Sequence, residues 1–233
     1  KLLYFVEEED KEPKKYLKYL FIQLIIMRDK KSIELAEPSN LPISTIIDYI
    51  DSHMNYSYST PGASRLPTLA IYSVYECMIE EVNRYNDKHL EELESHTSAD
   101  SQSGAIGDIE VKNNSDNKVF EGLEIKHGIH IVGQLIEDAY KKFMGKDSVD
   151  RYYILSTVKY LKEDEDEIIS KIEWVRNIHG CQIIVNGVLE SLKYYLRLLD
   201  NSSLFISKYV KNMKDDPTIK FEHKKVWNDI VTL

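Results

Sequence analysis

Apolar residues recur at helical spacing through the first third of the chain. Leu17, Leu20, Phe21, Leu24 and Met27 follow Pro13 three or four residues apart, and proline suits a first helical turn. Ile43, Ile46, Ile47, Ile50 and Met54 repeat the pattern after Asn40 and Pro42, predicting a second helix. Residues 55–65 (NYSYSTPGASR) form a turn-rich linker. A third helix follows from Pro67, apolar nearly all round (Leu69, Ile71, Tyr72, Val74, Tyr75, Met78, Ile79, Val82), the pattern of a buried helix.

The period then changes. Residues 88–95 fit either a helix or an edge strand, and 96–107, small and polar, read as a loop. Residues 107–111 (GDIEV) alternate like a strand, 113–117 (NNSDN) make a turn, and 118–127 (KVFEGLEIKH) read as a second strand. These two strands should pair as an antiparallel hairpin. A helix over 131–143 buries Val132, Leu135, Ile136, Ala139 and Phe143, and a strand follows at 151–157. The helix over 164–178 carries acids in its first turn, which complements the macrodipole, and stops at His179-Gly180. A strand at 181–187 and a helix from Leu189, broken at Asp200-Asn201, complete the series. Such alternation implies parallel crossovers beside the hairpin, hence an α/β fold with a mixed central sheet and helices on both faces. No internal repeat is evident.

Composition narrows the picture. The 233 residues are 42% hydrophobic, enough for a sizeable core, and 30% charged. The richest apolar run, Tyr19 to Met27, is far too short to cross a bilayer and is flanked by lysines. No membrane partner is expected, and there is no signal-peptide pattern at the start. Cys77 and Cys181 lie in apolar segments without nearby partners, so neither a disulfide framework nor a cysteine-type zinc site is expected; a reducing cytoplasm is. The chain begins at Lys1, not Met, which is compatible with a piece of a longer protein. A formal charge of −9 argues against bulk electrostatic coating of nucleic acid. It leaves room for an enzyme that grips DNA in one cleft, where metal ions offset acidic side chains.

The chemistry concentrates in the hairpin. Residues two apart on a strand share a face, so Glu124 and Lys126 point together while Leu123, Ile125 and His127 point away. Asp108, on the neighbouring strand, should come beside Glu124. Two carboxylates and a lysine among apolar strand residues are costly unless they pair or bind metal. Hard oxygens on rigid strands suit Mg²⁺. A lysine beside them can orient the attacking water or stabilise developing negative charge during phosphodiester hydrolysis.

Asp108 followed across a hairpin by Glu124-Ile125-Lys126 resembles the PD-(D/E)XK nuclease superfamily, which includes most type II restriction endonucleases. The resemblance spans about residues 67–190. The segment from His96 to Asp100, with 107–111 and 124–127, looks more narrowly like the SacI-like restriction enzymes. Gly107 stands where the family usually has proline. The resemblance implies a restriction-endonuclease-like sheet and Asp108 and Glu124 as Mg²⁺ ligands, with Lys126 as the catalytic lysine. It divides the chain into a helical portion (1–60), a nuclease core (61–200) and a helical extension (201–233). The implied activity is site-specific cleavage of double-stranded DNA by a homodimer, two-fold symmetry matching palindromic sites.

Further candidates have plainer alternatives. Glu110 is an auxiliary ligand or, preferably, a solvated strand carboxylate. Glu76 or Glu80 enters the metal site or forms an exposed helical stripe. His127 and His130 read as packing or solvent-facing residues rather than a metal pair, and Gln134 is a weak candidate. The run 163–167 reads as a solvated helix start. Lys141, Lys142, Lys146 and Arg151 form one basic cluster, and Lys208, Lys211, Lys214, Lys220, Lys224 and Lys225 another; either could touch phosphates. Ser57, Tyr58, Ser59 and Arg65 could reach base edges. A repair or structure-specific nuclease and a non-catalytic interaction module remain the competing readings.

Overall fold

The computed structural model describes residues 12–30, 33–93 and 104–232, with backbone only for 26–30. The chain divides into two units, Lys1–Glu34 and Leu35–Leu233. In the first, helix α1 (Pro13–Lys30) forms as its spacing predicts. Leu17, Leu20, Phe21 and Leu24 are exposed. The side chain of Met27 lies outside those described. No described helix is long and apolar enough to cross a membrane.

The second unit is α/β. Helices α2 (Ile43–Met54) and α3 (Leu66–Glu81) precede a short strand, β1 (Lys88–Leu90), which resolves the ambiguous segment. Then come β2 (Ile109–Asn113), β3 (Val119–Lys126), α4 (Gly133–Phe143), β4 (Arg151–Ser156), α5 (Glu165–His179), β5 (Gln182–Gly187), α6 (Val188–Leu196), α7 (Ser203–Asp215) and α8 (Phe221–Val231). The five strands stand side by side in chain order. β1–β2 and β2–β3 pair antiparallel, while β3–β4 and β4–β5 pair parallel. The two parallel pairs follow from the α4 and α5 crossovers, since parallel neighbours cannot be joined by a tight turn. The β2–β3 turn closes on Asn117, held at φ 55, a left-handed conformation that asparagine tolerates well. Gly180, at φ 88, stops α5.

Each sheet face has its own core. Ile109, Val111, Leu123, Ile125, Tyr153 and Leu155 pack against α2, α3, α6, α7 and α8. Tyr152, Ile154 and Ile183 pack with Ile106, Ile136, Phe143, Ile168 and Val175 under α4 and α5. The first core runs across the expected divisions at 60 and 200. Ile46, Ile50 and Met54 of α2, and Phe205, Tyr209 and Trp227 of α7 and α8, share one continuous apolar cluster with the sheet. His53 ties these helices further. Its Nδ1 pairs with the Tyr209 hydroxyl and its Nε2 with the His223 carbonyl, both at 2.9 Å. A carbonyl only accepts, so Nε2 carries the proton and Nδ1 accepts from Tyr209.

Candidate active site

The site lies where β2 begins and β3 ends. Residues 106–108 bend just ahead of β2, so Asp108 stands at the lip of the strand instead of inside it. The bend is fixed from several sides. The Ile106 N–H donates to Glu110 Oε1 at 2.6 Å, and its carbonyl lies 2.6 Å from the Tyr152 hydroxyl. The Ile106 side chain is fully buried in the α4–α5 core. Gly107 lies so close to β3 that a Cβ there would stand 2.4 Å from the Leu123 carbonyl oxygen. Asp108 then turns its carboxylate across to β3, where Oδ2 accepts the Ile125 N–H at 2.7 Å.

Alternation along β3 sends Leu123 and Ile125 into the helical core on one face and Glu124 and Lys126 to the opposite face. Lys126 Nζ donates to Glu124 Oε1 at 2.6 Å, and Lys142 Nζ, from the last turn of α4, donates to Oε2 at 2.9 Å. The Tyr152 hydroxyl is also 2.9 Å from Oε2, and its single proton serves either Glu124 or Ile106. Glu124, with 14% of its side chain exposed, is thus surrounded by donors. Burial alone would push its pKa up; the hydrogen bonds from Lys126 and Lys142 outweigh that and hold it below the usual carboxylate value. Asp108 is raised instead, by burial first and by the charge of Glu124, despite the Ile125 N–H and the two lysines. Burial, with the charge of Glu124 added, keeps the Tyr152 hydroxyl protonated.

These groups open on a cleft of about 1240 Å³ bounded by the described residues. Small-molecule sites usually enclose about 300–1,000 Å³, so the cleft is larger than that range. Its wall includes Asp108, Glu124, Lys126, Lys142, Lys146 and Lys118, with Glu91, Glu92, Glu110 and Lys112 toward β1.

The structure therefore gathers Asp108, Glu124 and Lys126 at one cleft and adds Lys142 and Lys146 from the expected phosphate-contacting cluster. The rest of that cluster separates. Lys141 pairs with Asp138 and does not line the cleft. Arg151 opens β4 beside Asp150, likewise outside the cleft lining. Arg65 is 4% exposed and bound to Asp216 at 2.9 Å, and it also lines the cleft. The neighbouring loop is also engaged: Tyr58 donates to the His53 carbonyl, and the Glu222 carboxylate accepts from the amides and hydroxyls of Ser59 and Thr60.

Glu110 is not a solvated carboxylate. It is 7% exposed and spends one oxygen on the Ile106 amide, with Lys112 at 3.4 Å from the other. Glu76 accepts from Asn212 and Glu80 pairs with Lys208, so both face α7 instead of the metal candidates. His127 follows β3 and lines the cleft, contrary to the expectation that it faces the back of the sheet. His130 bonds the Lys159 carbonyl, and Gln134 donates to Asp138 within α4. Acidic residues 163–167 are exposed or half-buried around the start of α5, as the sequence predicts. None of the six C-terminal lysines lines the cleft; Lys220 and Lys224 donate to backbone carbonyls. The segment from His96 to Asp100 lies outside the described residues.

Sequence reasoning missed Tyr152 and the direct contact of Lys142 with Glu124. Both depend on distant pairings, Gly122 beside Tyr152 in the β3–β4 register and α4 folded back over β3. No local pattern announces them.

No group of three or more His, Cys, Asp or Glu side chains able to share a metal occurs among the described residues. The candidate donor set is a carboxylate pair. Mg²⁺ is commonly held by one or two carboxylates plus water and substrate phosphate, so the pair fits it chemically. Oδ1 of Asp108 has no hydrogen bond among the described residues, since only Oδ2 is engaged. No family model matches the sequence, and no curated protein matches it.

Proposed function

We propose that the protein is a Mg²⁺-dependent endonuclease that hydrolyses phosphodiester bonds of double-stranded DNA at specific sites, working as a homodimer of the type II restriction class. The observation supporting this reading is the meeting of Asp108, Glu124 and Lys126 at one large cleft, in the D…ExK order of the PD-(D/E)XK nucleases. Asp108 and Glu124 would hold the cation, which when bound supplies positive charge to the phosphate and acidifies water. Lys126, already fixed on Glu124 Oε1, is placed to donate a hydrogen bond to the attacking water or to a phosphate oxygen. In the reaction a water oxygen bonds to phosphorus, the bond to the leaving sugar oxygen breaks, and that oxygen takes up a proton as the water loses one.

The test is digestion of a long defined DNA with Mg²⁺ and, separately, with EDTA, followed by sequencing of the product ends. Discrete fragments with common ends, formed only with the metal, are expected. Intact DNA under all conditions would overturn the reading. One observation favours a second reading. Tyr58, Ser59 and Arg65 are engaged within the chain, which ties up three of the four named candidates for base readout, all but Ser57. A nuclease that recognises DNA structure would use the same chemistry without them. Preferred cleavage of flaps or mismatches over intact duplex would select it.

A further inference from the structure

We propose that Lys142 serves two anions in turn: the Glu124 carboxylate, which it neutralises in the structure, and a phosphate of the DNA strand, to which it transfers when a divalent cation engages Glu124. This rests on the nuclease reading and deepens it, by naming a phosphate-binding residue and a competition between lysine and metal.

The two lysines on Glu124 are not equivalent. Lys126 is two residues away on the same strand, and its place is set by the sheet. Lys142 arrives from the end of α4, with 35% of its side chain exposed to the cleft. An ammonium on four flexible carbons can change partner by rotation alone. On its departure the Tyr152 hydroxyl, 2.9 Å from the same oxygen, can turn its single proton from the Ile106 carbonyl to Glu124. Lys146 and Lys118 line the cleft as well, so a strand tracking past Glu124 meets further ammonium groups.

Charge balance points the same way. Two carboxylates and two ammoniums cancel, so a dication creates an excess of positive charge. A diester attacked by hydroxide carries two negative charges in the transition state, which restores neutrality provided both lysines stay in the site. Lysine and cation therefore compete for Glu124 until a phosphate gives the lysine somewhere to go.

The test compares wild type, Lys142→Met and Lys142→Arg. Mn²⁺ affinity is read by titration without DNA. Affinity for a short duplex is read in Ca²⁺ over a salt series, and cleavage in Mg²⁺. Lys142→Met is expected to bind Mn²⁺ about 5-fold or more tightly, since it removes a competitor. It is expected to lose about one unit of salt slope per protomer, about two for the dimer, in DNA binding and to cleave at least about 10-fold more slowly. Lys142→Arg should restore the salt slope. A residue serving only the fold would move thermal stability and leave Mn²⁺ affinity alone or weaken it. Unchanged or weaker Mn²⁺ binding by Lys142→Met, or an unchanged salt slope, overturns the proposal while leaving the nuclease reading in place if wild type still cuts. Wild type that binds neither Mn²⁺ nor DNA sinks both.

Discussion

At Gly107 the chain passes β3 too closely for any side chain. The proline that the resembled motif usually carries has a Cβ, and here it would collide with the Leu123 carbonyl. Gly107→Ala should therefore force the bend away from β3, at a cost of about 1–3 kcal/mol, and loosen the Asp108 hydrogen bond to Ile125. Thermal melting and Mn²⁺ titration together check this, with both expected to fall; unchanged values in both would show that β3 yields easily. The lysine makes a different prediction. Lys126→Ala should reduce cleavage by about 100-fold or more while largely sparing DNA affinity, because it acts on developing charge. Turnover near the wild-type rate would remove it from the mechanism.

Among the elements, the linker between α2 and α3 shows how one acid can set a loop. Glu222, on the first turn of α8, accepts four hydrogen bonds from Ser59 and Thr60, and these bonds lower its pKa from 4.5 to about 2. A carboxylate depressed in the folded state stabilises fully above its unfolded pKa. Here that contribution should fade as pH falls from about 4.5 toward 2. Glu222→Gln should flatten this part of the stability–pH curve, as followed by chemical denaturation; an identical curve would detach Glu222 from the loop. The same element scale shows what could be read from the sequence. The β2–β3 hairpin and the shared face of Glu124 and Lys126 were legible because period-two alternation and an asparagine-rich turn are local signals. Helical spacing located α1 but gave no account of its exposure, since periodicity describes a face and not what covers it. Glu110 and Arg65 looked like surface charges because their partners, the Ile106 amide and Asp216, become neighbours only through bends and distant packing.

For the whole molecule, on the proposed nuclease reading, a net charge of −9 would confine the attraction of DNA to the cleft. Among the lining lysines, Lys112 is held by two carboxylates and Lys126 by Glu124 at 2.6 Å, whereas Lys118 lies 3.7 Å from exposed Asp116, Lys146 donates to the Gly104 carbonyl and Lys142 shares Glu124, so we assign these last three to phosphates. Three such contacts in each protomer of the proposed homodimer predict a salt slope of about −5 for duplex binding. A slope of about −9 or steeper in a salt titration would mean that a second surface carries the DNA. Global stability should also respond to acid through His53, fully buried between α2, α7 and α8. Burial lowers its pKa from 6.5 to about 4, so the folded state resists a proton that the unfolded chain accepts. Stability present above pH 6.5 should decline as pH falls toward 4, and His53→Gln should remove that decline in pH-dependent denaturation. A further consequence follows from β3, an interior strand bonded antiparallel to one neighbour and parallel to the other. Glu124 and Lys126 share its stiffness, whereas Asp108 sits in a bend and Lys142 near a helix end. Amide exchange should grade the cleft accordingly, slowest at 123–125 and faster at 106–108 and 142–146. A strand of DNA entering there would press against an anvil on one side and a spring on the other, so fitting to the substrate falls to the springy side.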